Sequence, residues 1–202
     1  MEPLTETLHP SEAAYLARAV ESRRQQFTSV RACARTVLAQ MGINRPPMVP
    51  GMAGRPPWPP GVVGSMTHTD GFCAAAASSS LDARSIGIDA EPIEPLPDGV
   101  LALVALPSEL THLRVLAAGR VSTAWDRLLF SAKESVYKAW YPVVGSWLEF
   151  EDIRLRFDLA GTFSAELVNR RHGSDETDLV SAMQGRWLST RAHVVTGVFV
   201  PA

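Results

Sequence analysis

The sequence predicts an α+β fold, a pseudo-dimer of two similar halves with a cleft between them. Each half is helical material followed by a small antiparallel sheet. Three observations carry this. The order of helices and then short strands runs twice along the 202 residues. Asp70-Gly71 is a strong two-residue hairpin turn between two strand-like runs. A long amphipathic helix over about Thr123 to Trp140 opens the second set of strands. The length suits one domain with a real core or two small halves. The halves divide as residues 1–97 and 98–202.

The elements follow in order. Residues 11–41 read as helix, broken near Thr28-Ser29, with Ser11 before Glu12 as a start and Gly42 as a stop. Arg23, Arg24, Arg31 and Arg35 make it the most basic segment. Residues 44–61 are proline- and glycine-rich and read as a loop. Val62–Thr69 is a strand, Phe72–Ser78 returns from the hairpin, and a polar turn at 81–84 leads into a third strand at 85–91. Pro92, Pro95 and Pro97 end the first half. In the second, Leu106-Pro107-Ser108-Glu109 looks like a helix start, with Pro107 early. The helix from about Thr123 has Trp125, Leu129, Ala132, Val136 and Ala139 on one stripe. Strands are expected at about 152–159, 162–168, 185–190 and 192–200, with turns at Gly161 and Gly173. No strict internal repeat is visible, and no clear strand precedes the first helix.

Composition narrows the class. Apolar residues are 46% and charged residues 20%, as in ordinary soluble domains, and the net charge is −2. Nothing global suggests nucleic acid or an anionic membrane. Cys33 and Cys73 form no metal-type pair and read as two reduced thiols of a cytoplasmic protein. Glu2 and Glu6 with no apolar run argue against a secretory signal, and no run is long enough for a membrane span.

Two segments carry chemistry. Ile86-Gly87-Ile88-Asp89-Ala90-Glu91 alternates, so Asp89 and Glu91 share a strand face about 6.6 Å apart along the chain. Glu134 and Lys138 are four apart on a helix, nearly opposite its apolar stripe. Three carboxylates without His or Cys favour Mg²⁺, with Mn²⁺ as the alternative, and a bound Mg²⁺ keeps positions for substrate phosphates. Arg31, Arg35, Arg55 and His68 are basic groups that would suit a phosphate. Alone, each signal has a plainer meaning. A Glu–Lys pair at this spacing is usually a solvated salt bridge, an Asp-x-Glu the wet side of a sheet, and helix arginines a solvated face.

The combination is more specific. Met66-Thr67-His68-Thr69, then Gly87-Ile88-Asp89-Ala90-Glu91, then Phe130-Ser131-Ala132-Lys133-Glu134-Ser135-Val136-Tyr137-Lys138-Ala139 resembles the 4′-phosphopantetheinyl transferases. The resemblance is to the larger, monomeric class and its actinobacterial and enterobactin-type branch. Arg31-Ala32-Cys33-Ala34-Arg35, Trp58-Pro59 and Gly145-Ser146-Trp147-Leu148-Glu149-Phe150-Glu151-Asp152 fit that branch, so the likeness spans roughly residues 20–160. It implies Mg²⁺-dependent transfer of phosphopantetheine from coenzyme A to a serine of an acyl, aryl or peptidyl carrier protein, with release of 3′,5′-ADP. It implies Asp89, Glu91 and Glu134 as metal ligands, Glu134 also as base, directly or through a water, and Lys138 on the leaving phosphate oxygen. Arg23, Arg31, Arg55 and His68 would hold the coenzyme A phosphates, with Thr67 close by. Two positions depart from the pattern: Ala90 stands where some members carry a third acid, and Pro50 where some relatives carry a lysine. The rival readings are a Mg²⁺-dependent hydrolase of coenzyme A or a related diphosphate, and a non-catalytic coenzyme A- or carrier-binding module. A monomer suffices for the first reading, because the duplication is internal.

Overall fold

The computed structural model of the chain describes residues 6–44, 46–51, 58–119, 123–169 and 171–202. Two helices open it, α1 (Pro10–Tyr15) and α2 (Glu21–Gln40). The expected break near Thr28-Ser29 is corrected: both residues lie inside α2, and the interruption falls at 16–20. The physical reason is Glu12. Its fully buried carboxylate accepts from Arg35 at 2.6 Å and from the Met48 amide at 2.7 Å. In an unbroken helix Glu12 and Arg35 would lie about 35 Å apart, so the chain bends between them. Gly42, at φ 76°, ends the pair of helices as expected.

β1 (Val62–Thr69) and β2 (Phe72–Ser79) form the hairpin, paired residue for residue around Asp70-Gly71. β3 (Ala83–Pro92) does not extend it. It pairs antiparallel with β7 (His193–Pro201), at the edge of a five-stranded sheet ordered β3-β7-β6-β5-β4. The other strands are β4 (Ile153–Phe157), β5 (Thr162–Leu167) and β6 (Gln184–Ser189). Sheet pairing thus crosses residue 97. The hairpin is tied to β3 by side chains: Ser65 Oγ accepts from the Ile88 amide at 3.0 Å, and Thr67 Oγ1 from the Ala90 amide at 3.2 Å.

Four more helices are present among the described residues: α3 (Val100–Val104), α4 (Pro107–Gly119), α5 (Trp125–Val144) and α6 (Ser174–Ser181). Sequence reading missed α3 and α6 and stopped α5 at Trp140. α5 instead runs past Pro142 to an αL cap at Gly145. Two apolar cores match the two-halved α+β class. The larger packs Trp125, Leu128, Leu129, Ala132, Val136, Ala139 and Trp140 of α5 against the five-stranded sheet. The smaller gathers Ala34, Leu38 and Met48 under the hairpin. Among the described residues, no helix is long and apolar enough to cross a membrane.

Candidate active site

The site forms where α5 crosses β3. Gly87 makes the crossing possible: a Cβ there would lie 1.9 Å from the Ser135 carbonyl oxygen and 2.7 Å from the Ala139 amide nitrogen. With only hydrogen at Gly87, the helix backbone rests on the strand two residues before Asp89. On the other side of the contact, Thr196 of β7 holds α5 through Ser135 Oγ (2.6 Å) and Ser131 Oγ (2.9 Å). Half of α5 is buried, and Arg127, Glu134, Tyr137, Lys138 and Tyr141 are among its half-buried residues. Their spacing makes one open stripe, which includes both predicted helix residues.

Lys138 reaches across to the strand and not to Glu134. Its Nζ donates to Asp89 Oδ1 at 2.7 Å and to the Ile88 carbonyl at 3.1 Å. The i,i+4 salt bridge on one helix is therefore replaced by a pair joining two elements. Asp89 is buried, and its Oδ1 also lies 3.3 Å from Thr67 Oγ1. Glu91, half-buried, accepts from Arg127 Nη1 at 3.2 Å. Burial, and then the Asp89 charge, raise the pKa of Glu134 above the usual carboxylate range. The same two causes raise that of Glu91. Asp89, Glu91 and Glu134 thus sense one another, although among the described residues no three of His, Cys, Asp or Glu are gathered so as to hold a metal ion. Cations already occupy one oxygen each of Asp89 and Glu91.

The chemistry of these donors suits a hard divalent cation. The donors are all carboxylate oxygens, Lys138 and Arg127 offset their mutual repulsion only in part, so that Glu91 and Glu134 keep raised pKa values, and Asp89 Oδ2 is buried without a hydrogen-bond partner among the described residues.

A basic wall stands beside the acids. Burial lowers the His68 pKa, and the charges of Arg23, Lys138 and Arg31 lower it further. That places these three cations within electrostatic reach of His68. Arg31 is buried, its Nε donates to the Met48 carbonyl at 3.2 Å, and its guanidinium lies 3.4 Å above the Phe27 ring. Burial brings its pKa down to about 10, so it stays charged at neutral pH. Arg23 is exposed. Arg55 lies outside the described residues. Thr67 has its hydroxyl engaged by the Ala90 amide, at the seam between hairpin and β3. Arg35 is corrected: it is not a free phosphate ligand, because its guanidinium is held by Glu12 and by Glu6 at 3.1 Å.

Two residues of α5 escaped sequence reading. Lys133, next to Glu134, points the other way into the core. It pairs with Glu109 at 2.8 Å and donates to the carbonyls of Val104, Phe150 and Ile153. An i,i+4 count from Glu109 or Glu134 cannot reveal such a pairing across elements. Arg127 lies one heptad before Glu134 on the open stripe, a spacing that was available as a signal. Cys33 and Cys73 are free thiols whose sulfurs lie 3.2 Å apart, and burial pushes Cys33 up to about 12.

An α+β chain with two cores and an acid-lysine site across their seam matches one family in comparison with known proteins. The model of the 4′-phosphopantetheinyl transferase N-terminal domain matches residues 11–78, and that of the 4′-phosphopantetheinyl transferase superfamily matches residues 85–194. The chain belongs to the 4′-phosphopantetheinyl transferases, enzymes that transfer phosphopantetheine. It is 52% identical over 198 residues to the 4′-phosphopantetheinyl transferase Svp of Streptomyces mobaraensis, covering 96% of this chain and 79% of that one. It is 42% identical to Npt of Nocardia iowensis, covering 94% and 88% of the two chains. It is 40% identical to PptT of Mycobacterium tuberculosis, covering 94% and 84%. These relatives support the actinobacterial type. The crystal structure of a Helicobacter pylori holo-[acyl-carrier-protein] synthase with coenzyme A covers 58% of this chain at 21% identity and a TM-score of 0.41, a likeness too slight to decide anything about the site.

Proposed function

We propose that this transferase moves 4′-phosphopantetheine from coenzyme A to a serine of an acyl, aryl or peptidyl carrier protein, with Mg²⁺ held by Asp89, Glu91 and Glu134. The single observation that carries this reading is the meeting of these acids with Lys138 beside the Arg31–His68 wall. When bound, the cation would neutralise the diphosphate and offset charge developing on it.

The chain's own residues supply the rest. Glu134, with a raised pKa, is a stronger base than a solvated carboxylate and would take the proton of the carrier serine, directly or through a water. Lys138, fixed by Asp89 and the Ile88 carbonyl, would offer its ammonium to the leaving phosphate oxygen of 3′,5′-ADP. Arg31, Arg23 and Arg55 would bind the phosphates of coenzyme A, with His68 adding a donor. Burial, and then its cationic neighbours, disfavour the charged form of His68, and an arriving phosphate would favour it. Thr67 would act through the seam, keeping Asp89 in register. The halves 1–97 and 98–202 would act together as one cytoplasmic monomer.

The test is direct. Incubate the protein with coenzyme A, Mg²⁺ and an apo carrier domain, and weigh the carrier. A gain of one phosphopantetheine is expected, and it should vanish on chelation of the metal. Coenzyme A breakdown without carrier modification would favour the hydrolase reading. Tight coenzyme A binding with neither product would favour a binding module.

A further inference from the structure

We propose that Arg127 is a positioning residue for the metal site, fixing which oxygen of Glu91 faces the cleft. The inference rests on the metal reading above. Arg127 belongs to α5, seven residues before Glu134, on the same open stripe. Each of its three nitrogens is committed to a different acceptor. Nε donates to the Glu94 carbonyl at 2.9 Å, Nη2 to the Pro95 carbonyl at 2.8 Å, and Nη1 to Glu91 Oε2 at 3.2 Å. Its neighbour Asp126 holds the same segment by accepting from the Leu96 amide at 2.8 Å. The planar fork is therefore immobilised twice, by its own helix and by the backbone that leaves β3.

What remains is Nη1, which donates to one carboxylate oxygen. Glu91 needs such a guide. It is the last residue of β3 before Pro92, with three side-chain torsions and only partial burial. A donor fixed on Oε2 selects one orientation of the carboxylate and leaves Oε1 for a ligand. Groups that hold ligating side chains in this way govern metal affinity without touching the metal. A staple serving stability alone would be complete with the two carbonyls. The third contact ends on one of the three acids assigned to the cation. Lysine cannot substitute, because its ammonium is a point charge without the rigid fork.

Arg127→Lys separates orientation from charge. The variant keeps the positive charge near the site, so its repulsion of a cation is retained while the fork is lost. The readout is Mn²⁺ binding to the protein without coenzyme A, from the electron paramagnetic resonance signal of free Mn²⁺, with the melting temperature alongside. Arg127→Lys is expected to bind Mn²⁺ about ten-fold more weakly, with a raised KM for Mg²⁺ and unchanged metal-free affinity for coenzyme A. Wild-type-like Mn²⁺ binding by this variant would overturn the proposal. Should Arg127→Lys not fold, Arg127→Gln carries the test with the opposite electrostatic bias. Removing a cation should by itself tighten Mn²⁺ binding, so weaker binding supports orientation, and equal or tighter binding overturns it. A wild-type protein that binds no Mn²⁺ overturns the metal reading and this inference with it. Binding by wild type with no change in either variant overturns only the role of Arg127.

Discussion

At the scale of the residue, Glu134 and Lys138 show why a motif acquires meaning only in three dimensions. Both lie on the helix face that sequence spacing assigned to them, yet Lys138 is bound to Asp89 and not to Glu134. Removing it therefore does two things. Lys138→Ala should lower kcat by about 10²–10³-fold, the usual cost of one electrostatic contact in a transition state, with a smaller effect on coenzyme A affinity. It should also destabilise the metal-free protein by about 1–3 kcal/mol, because a buried carboxylate loses a charged hydrogen bond. Steady-state kinetics, calorimetry and a melting curve read the three effects, and an unchanged kcat with a lower melting point would make Lys138 structural only. Glu134 predicts the opposite sign for stability. Its folded-state pKa is raised, so its ionised form is penalised in the folded protein. That penalty is absent below the unfolded value, grows as pH rises from the unfolded value to the folded one, and is constant above it. Glu134→Gln should abolish transfer and yet raise the melting temperature of the metal-free protein at pH 7.5, with no gain at pH 4. A melting point lowered at pH 7.5 would contradict the electrostatic account of the site.

At the scale of the element, the crossing of α5 over β3 rests on one missing side chain. Gly87→Ala forces a methyl into the Ser135 carbonyl, a backbone atom that cannot swing aside. Overpacking of this kind costs about 1–3 kcal/mol, and relief requires α5 to lift from the strand. The expected result is an earlier urea midpoint together with a fall in kcat, since Glu134 and Lys138 move with the helix. Wild-type kcat in a destabilised Gly87→Ala would mean that the crossing does not set the site. Local signals made much of this layer legible. The hairpin, the α5 stripe and the acids of β3 all follow from alternation, helical spacing and turn chemistry. What escaped had other causes. Val100–Val104 is a short apolar run with no periodicity. Ser174–Ser181 is polar on most sides and is recognisable chiefly by Glu176 capping the Gly173 amide. The bend after α1 depends on Glu12 reaching Arg35, 23 residues away, which no local window contains.

At the scale of the whole molecule, the question is where one half ends. Proline spacing suggests residue 97, while the two family models leave their gap between residues 78 and 85. Sheet pairing bears on the choice. β3 covers the full length of β7 and seats α5 at Gly87, whereas its bonds to the hairpin run through the two hydroxyls of Ser65 and Thr67. A chain of residues 98–202 would leave β7 as an unpaired edge and uncover the face of α5 around Ser135 and Ala139. Unpaired backbone and exposed apolar surface both favour association over folding. A chain of residues 83–202 keeps the complete five-stranded sheet and the larger core. The longer piece should therefore unfold cooperatively in urea with a sheet-containing circular dichroism spectrum, and the shorter one should not. Neither should transfer phosphopantetheine, because both lack Arg31 and His68. Cooperative unfolding of 98–202 would show that this half is stable without β3, and that Asp89 and Glu91 are brought to α5 by docking onto a folded unit.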